Sequence, residues 1–194
     1  MQKLYLILDN PSIAEAAIDG GVDWIQFRHK GPYTSQALDA AKQVRLICKK
    51  RNIPFILNDR FDIALYLDAD GVHVGQTDIP LSVIRTFWPK LVGATTPTLD
   101  TIEKAKQDGA DYASIGHIFP TTTKVKTTPP LGLENLAPIA ARSPLPLFAI
   151  GGIDLTNAAS VLSLPIAGIA VSAAICSAAD PKQAAQGMKD VFPR

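Results

Sequence analysis

Eight short runs of apolar and β-branched residues recur along the chain, and stretches with helical spacing of apolar positions lie between them. The runs are residues 4–8, 24–28, 55–58, 71–74, 91–94, 112–115, 147–150 and 168–171. The helical period is clearest at residues 34–50 and 98–108. Strands that alternate with helices predict a parallel sheet, and eight of them predict a closed (β/α)8 barrel, also called a TIM barrel. An open doubly wound sheet would show the same alternation, but the number of runs favours the barrel.

The length of the chain agrees with one α/β domain spanning residues 1–194. Barrels of this class usually have about 250 residues and rarely fewer than about 200, so the loops must be short. Their chemistry lies at the carboxyl ends of the strands. We therefore expect the functional side chains to follow the apolar runs closely.

Composition excludes several classes of function. The 19 basic and 18 acidic side chains give a formal net charge of +1, which favours neither nucleic acid nor an anionic membrane as a partner. The apolar run at residues 4–8 is too short for a signal peptide or a membrane span. Cys48 and Cys176 lack metal-ligand spacing and are expected to be buried thiols. Cytoplasm is the expected compartment.

Basic and amide side chains follow the second run. Strand alternation puts Gln26 and Arg28 on one face, and Lys30 follows them as the chain leaves the sheet. A guanidinium fork matches phosphate oxygens, so this end predicts a phosphate or diphosphate site. A basic surface turn is the alternative.

Two carboxylates follow the third and fourth runs. Asp59 comes directly after Asn58, and Asp78 lies close behind His73. Mg²⁺ takes one or two carboxylates and completes its shell with water and phosphate oxygens, which makes this pair a candidate metal site. Alternatively, Asp59 and Asp62 are a pair at the N-terminus of a helix, and Asp78 is a turn residue before Pro80. His73 is expected to be a hydrogen-bonded structural residue.

Glycines end the seventh run, and a serine ends the eighth. Gly151 and Gly152 let backbone N–H groups approach an anion closely, and Ser172 precedes Ala173 on the neighbouring strand. Barrels commonly bind phosphate between these two loops. Together with the basic second strand, this predicts two anion pockets and hence two phosphorylated substrates, one of them a diphosphate.

The segment at residues 120–130 is long for a strand-to-helix connection in so small a barrel. It contains Lys124, Lys126 and several threonines and prolines. Long loops of this kind are typical of active-site lids or of solvated turns. We interpret this segment as an anion-binding lid.

These segments resemble the thiamine phosphate synthase family over essentially the whole chain. The matching pieces are residues 4–7, 21–30, 55–60, 69–78, 109–112, 119–124 and 149–153, in that order and spacing. The family joins a hydroxymethylpyrimidine diphosphate to a thiazole phosphate and releases diphosphate. Its mechanism is dissociative: the diphosphate leaves before the thiazole nitrogen captures the pyrimidine-methyl cation.

The resemblance implies a role for each matching residue. The pyrimidine diphosphate would be held by Gln26, Arg28, Lys30, Asn58 and Lys124, with Arg28 and Lys124 assisting departure of the leaving group. Asp59 and Asp78 would bind Mg²⁺. The thiazole phosphate would face Thr121, Thr122, Thr123, Gly152, Ser172 and Ala173. A homodimer is left open.

Three short stretches depart from the family pattern. Thr95 replaces the usual serine after the fifth strand, and Pro97 stands where a histidine is usual. Ser172 and Ala173 replace Val-Ser, so a phosphate hydroxyl is lost or displaced. His117 replaces proline in the Gly-Pro-Ile-Phe stretch, which is similar to the thiazole tautomerase branch of the same superfamily.

Two alternative functions follow from these departures. A tautomerase would use His117 as its acid or base, but that branch typically lacks the diphosphate and metal residues that this chain retains. A non-catalytic barrel that binds thiamine intermediates would have little use for a metal pair. We therefore favour the synthase, in which His117 either adds a tautomerase-like proton transfer as a catalytic group or fills space at the strand end.

Overall fold

Eight parallel strands close into a barrel in sequence order in the computed structural model, which describes residues 1–121 and 128–193. The strands are β1 (Lys3–Leu8), β2 (Trp24–Phe27), β3 (Phe55–Asn58), β4 (Gly71–Val74), β5 (Leu91–Thr95), β6 (Tyr112–Gly116), β7 (Leu147–Ile150) and β8 (Gly168–Val171). Pairing of β1 with β8 completes the ring. The predicted (β/α)8 barrel is confirmed. Strand ends differ from the predicted ones by at most one residue: β1 begins at Lys3, β2 stops before Arg28, and β5 and β6 continue to Thr95 and Gly116.

Helices surround the barrel. Those within the described residues are α1 (Pro11–Asp19), α2 (Ser35–Lys50), α3 (Phe61–Tyr66), α4 (Leu81–Phe87), α5 (Leu99–Gln107), α6 (Gly132–Arg142), α7 (Ala158–Leu162), α8 (Ala173–Cys176) and α9 (Pro181–Asp190). The two predicted helices begin at threonine caps, because Thr34 accepts from the amide of Ala37 and Thr98 forms a capping box with Thr101. None of these helices is long and apolar enough to cross a membrane.

The barrel separates two apolar cores. The larger core lies between the strands and the helices. The smaller one fills the barrel interior with side chains from alternating strand positions, including Tyr5, Ile56, Tyr112 and Phe148. Above this interior layer buried polar side chains join apolar ones at the inward positions, and they mark the floor of the site.

Aspartates clamp the amino-terminal ends of three strand pairs. Each accepts a hydrogen bond from the first or second residue of the preceding strand: Asp23 from Leu4 N at 2.7 Å, Asp70 from Phe55 N at 2.9 Å and Asp111 from Val92 N at 2.7 Å. Each also pairs with a cation from a helix: Lys189, Arg45 and Arg85, respectively. Ala167 occupies the equivalent position before β8. Its backbone amide donates to Leu147 O at 2.8 Å, and the amides of the three aspartates make the same backbone bond in their own strand pairs. The fourth strand pair therefore lacks the carboxylate.

Both cysteines are free thiols, as expected, but only Cys48 is fully buried. Burial raises the pKa of Cys48 to about 12 and that of the partly buried Cys176 to about 11. Neither thiol is ionised at neutral pH, which agrees with a packing role.

Candidate active site

A cavity of about 560 Å³ opens at the carboxyl ends of the strands. The predicted site residues that line it are Gln26, Arg28, Asn58, Thr95, His117, Thr121, Gly152, Ser172 and Ala173. They come from six strand ends that are far apart in sequence, and closure of the barrel brings them together. Thr122, Thr123 and Lys124 lie outside the described residues.

A second, smaller cavity of about 290 Å³ adjoins the first. Arg28 and Asn58 line both cavities, whereas Lys30 and Asp59 line the smaller one. Tyr33 and Arg60 also line it, and the Arg60 guanidinium lies 5.0 Å from the centre of the Tyr33 ring. Sequence reasoning did not single out these last two residues. Two adjoining cavities that share a cationic wall suit a substrate with an anionic leaving group.

Asp59 and Asp78 come together at the edge of the smaller cavity. Asp59 follows β3 with a positive φ of 61°, and Asp78 accepts from the amide of Gly75 at 2.7 Å. Burial raises the pKa of Asp59 to about 6, and the charge of Asp78 and a hydrogen bond between the two carboxyl groups contribute to the shift. Two carboxylates held against each other at a cost in charge repulsion fit a divalent cation. Asp78 therefore forms a turn and also faces Asp59.

Gly151 and Gly152 adopt backbone angles that side chains rarely tolerate, with φ of 99° and 68°. A Cβ at Gly152 would lie 2.4 Å from the carbonyl oxygen of Pro120, and one at Gly151 would lie 2.5 Å from Cβ of His117. These two glycines let the β7 end pass directly against the segment after β6. That close approach forms one wall of the large cavity.

His117 is buried and lines the same cavity. It follows Gly116, which has no space for a side chain because a Cβ there would lie 1.9 Å from Ile150 O. The carbonyl of His117 accepts from Leu131 N at 2.8 Å and thereby fixes the start of α6. An imidazole at this position is available to a ligand in the cavity.

The floor of the large cavity is a chain of hydrogen bonds inside the barrel. It runs from Gln26 through Tyr5, Tyr112 and His73 to Thr95. His73 is buried and hydrogen-bonded, as expected from the sequence, but it also lines the cavity. Sequence reasoning did not single out Tyr5 and Tyr112, although they occupy inward positions in the alternation of their strands.

The fold and these cavities define a (β/α)8 barrel with an open site at the carboxyl ends of its strands. The sequence model of the family described as thiamine monophosphate synthase matches residues 4–175. The chain belongs to this family.

Similar proteins agree with this assignment. A thiamine-phosphate synthase from Chloroflexus aurantiacus is 39% identical over 196 residues, covering 96% of this chain and 91% of that protein. One from Chlorobium luteolum is 44% identical over 178 residues, covering 91% and 84%. The structure of thiamine phosphate pyrophosphorylase from Pyrococcus furiosus superposes with a TM-score of 0.89 at 34% identity, covering 97% and 94%. A 3-hexulose-6-phosphate synthase, with a TM-score of 0.75 at 18% identity, shares the fold alone.

Proposed function

We propose that this chain is a thiamine phosphate synthase. It would join hydroxymethylpyrimidine diphosphate to thiazole phosphate, giving thiamine phosphate and diphosphate. Family membership supports the reaction, and the observation that carries the site assignment is the pair of adjoining cavities that share Arg28 and Asn58. The larger would hold the pyrimidine and the thiazole phosphate, and the smaller would hold the diphosphate.

The leaving group would be stabilised by charge. The C–O bond between the pyrimidine methylene carbon and diphosphate breaks, and its electron pair goes to the diphosphate oxygen. Arg28 and Lys30 line the smaller cavity and would neutralise the charge that develops there, with Lys124 assisting in line with the family resemblance. Mg²⁺ held by Asp59 and Asp78 would supply further positive charge to the diphosphate oxygens.

The acceptor would be held on the opposite side of the large cavity. Backbone N–H groups near Gly152 and at Ser172–Ala173 suit the thiazole phosphate, and the Thr121 side chain lies at the same mouth. The thiazole nitrogen then donates its lone pair to the methylene carbon and forms the new C–N bond. This nitrogen carries no proton, so the coupling step needs no general base.

His117 gives a second activity some support. It lines the thiazole side of the large cavity beside Gly151, and an imidazole there would be able to move a proton of the thiazole ring. We propose that the chain also isomerises a non-aromatic thiazole phosphate before coupling. Such an isomerisation would use His117 as acid and base.

The test of the main proposal is a reconstituted reaction. The purified chain is incubated with both substrates and Mg²⁺, and thiamine phosphate and diphosphate are quantified separately. We expect equal amounts of the two products and no thiamine phosphate when either substrate is omitted. Diphosphate release that does not depend on the thiazole would indicate a hydrolase, and the absence of both products would contradict the proposal.

A further inference from the structure

A continuous chain of hydrogen bonds joins two residues that line the large cavity. Gln26 Nε2 lies 2.7 Å from the Tyr5 hydroxyl, which lies 3.0 Å from the Tyr112 hydroxyl. The Tyr112 hydroxyl lies 3.1 Å from Nδ1 of His73. Nε2 of His73 lies 3.0 Å from Thr95 Oγ1 and 3.2 Å from Ser114 Oγ, and Ser114 also lines the large cavity. The direction in which the hydrogens point along this chain decides which groups the two end residues present to a ligand.

The heavy atoms allow two directions. Hydroxyl groups donate and accept, and a neutral imidazole has one donor and one acceptor nitrogen in either of two tautomers. In one direction the amide nitrogen of Gln26 donates to Tyr5, and each later group donates to the next. In the other direction every bond is reversed, and Gln26 must turn its carbonyl oxygen towards Tyr5.

The orientation of the Gln26 amide selects the first direction. Since its nitrogen faces the Tyr5 oxygen, that oxygen accepts, and the Tyr5 hydroxyl must donate to Tyr112. The Tyr112 hydroxyl then donates to Nδ1 of His73. Burial raises the pKa of both tyrosines and lowers that of His73 to about 4, so all three groups are neutral at pH 7. His73 must then carry its single proton on Nε2.

We propose that Tyr112 is a positioning residue that couples the hydrogen-bond direction at Gln26 to the tautomer of His73 on the other side of the cavity. The Tyr112 hydroxyl donates to Nδ1, so Nε2 of His73 carries the proton and faces the hydroxyl oxygens of Thr95 and Ser114 as a donor. Neither hydroxyl then donates to the imidazole, and both can turn their hydrogens into the cavity. The Tyr112 oxygen accepts a hydrogen bond from the Tyr5 hydroxyl, so the Tyr5 oxygen remains an acceptor for the Gln26 nitrogen. The Gln26 carbonyl oxygen is then left for a ligand. The cavity then presents hydroxyl donors at Thr95 and Ser114 and an acceptor at Gln26.

Tyr112 suits this role because it is held rigidly and does not line the cavity itself. Its side chain is 2% exposed. Its ring packs edge-on against Tyr5, Trp24 and Phe148, with ring centroids 6.1, 5.4 and 5.5 Å away. Packing of this kind fixes the hydroxyl between Tyr5 and His73 whether or not a ligand is bound.

The tautomer of His73 is a direct test that does not depend on the proposed function. The chain has three histidines, so ¹⁵N-histidine labelling gives a simple spectrum, and His73→Gln identifies the His73 resonances by their loss. Long-range ¹H–¹⁵N correlation at pH 7 distinguishes protonated from unprotonated ring nitrogens. We expect one tautomer, with the proton on Nε2. A proton on Nδ1 of His73 in the unmodified protein would overturn the proposal.

Two variants then distinguish the effect of the Tyr112 hydroxyl from that of the Tyr5 hydroxyl. Tyr112→Phe and Tyr5→Phe each remove one hydroxyl from the same buried chain. In Tyr5→Phe the buried Tyr112 hydroxyl keeps Nδ1 of His73 as its remaining partner within the described residues. Its hydrogen is satisfied only by donation to Nδ1, so the tautomer should not change. In Tyr112→Phe the Nδ1–H form should rise to about a tenth or more of the population, because a hydrogen bond worth about 1 kcal/mol no longer opposes it. An unchanged tautomer in a folded Tyr112→Phe would overturn the proposal.

An activity measurement adds the catalytic consequence, which rests on the proposed function. Without Tyr112 as acceptor, the Tyr5 hydroxyl would be satisfied only if Gln26 turned its oxygen towards it. Tyr112→Phe should therefore raise KM for the pyrimidine diphosphate about tenfold, with a smaller change in kcat. A shifted tautomer with unchanged KM would uphold the polarity of the chain and would count against contact between Gln26 and this substrate in the proposed function.

Discussion

Gly93 lies directly against the ring of Tyr112. A Cβ at position 93 would be 2.1 Å from Cζ of Tyr112 and 2.5 Å from Nδ1 of His73. The glycine therefore creates the space in which the Tyr112 hydroxyl meets the imidazole. Because the neighbouring rings are buried and packed against one another, neither can move aside cheaply.

Gly93→Ala should destabilise the protein and disable the site together. Overpacking of a filled interior costs about 1 to 3 kcal/mol, and displacement of Tyr112 would break the hydrogen-bond chain. The matched control is Gly187→Ala on α9, where the nearest atom to an added Cβ is 3.5 Å away. That control should be neutral or stabilising because alanine favours a helix. Urea unfolding of both variants measures the difference, and equal stabilities would contradict the steric argument.

Asp59→Asn should abolish coupling without loss of stability. The carboxylate of Asp59 is held against Asp78, so removal of its charge relieves repulsion in the free protein while the metal loses a ligand. We expect a melting temperature equal to or above that of the unmodified protein and at least a 10²-fold loss of kcat/KM, on the order of several kcal/mol of transition-state stabilisation.

The control for the Asp59 variant is Asp39→Asn. Asp39 is exposed on α2 and pairs only at the surface with Lys42, so its loss should change neither property measurably. A titration of activity with Mg²⁺ in each variant locates the effect. Full activity of Asp59→Asn, or of the unmodified protein in excess chelator, would remove the metal assignment.

His117→Ala should separate coupling from isomerisation. With the aromatic thiazole phosphate as substrate, coupling needs no proton transfer and should fall only a fewfold. With the non-aromatic tautomer, activity should fall by on the order of 10²-fold or more, as expected for a missing acid–base group. The two assays are run on one preparation whose melting temperature is checked first. Equal losses in both assays would assign His117 to substrate binding.

His73 should make the protein less stable in acid. Its folded pKa of about 4 lies below the ordinary value of 6.5, so the unfolded chain binds the proton first as the pH falls. Stability contributed by neutral His73 is complete above pH 6.5 and is lost progressively down to pH 4, by about 3 kcal/mol in all. Asp59 has a raised pKa and shifts stability in the opposite sense over part of this range.

A comparison with His73→Gln isolates the contribution of His73 to the pH dependence of the unfolding free energy, because Asp59 contributes equally to both proteins. The difference in unfolding free energy between the unmodified protein and His73→Gln should shift by about 3 kcal/mol in favour of the variant between pH 7 and pH 4. Denaturant unfolding at several pH values measures it. A difference that does not vary with pH would show that His73 is not held neutral.

The barrel could be predicted because its strands are buried on both faces. Their sequences are therefore almost uninterrupted runs of apolar residues. The predicted and observed bounds of β3, β4, β7 and β8 are identical. Position at a strand end was also enough to select Gln26, Arg28 and Asn58, because a closed parallel barrel gathers all such ends at one face.

Other parts of the site could not be predicted because they depend on contacts between distant strands. Tyr5 and Tyr112 are polar only at the hydroxyl, and in a single sequence they do not differ from core aromatics. Arg60 reaches the smaller cavity through its position above Tyr33, a contact that no local pattern encodes.

The missing carboxylate before β8 has a consequence for how the barrel opens. Amides of Leu4, Phe55 and Val92 are bound to aspartates that helix cations hold in place, whereas Ala167 offers nothing equivalent to Leu147. Local opening begins where backbone groups are least restrained, so hydrogen exchange at the start of β7 should be the fastest of the four. Fluctuations of the native state would then be concentrated at the pairing of β7 with β8, which lies beneath Gly152 and Ser172. The side of the barrel that carries Arg28 would stay closed.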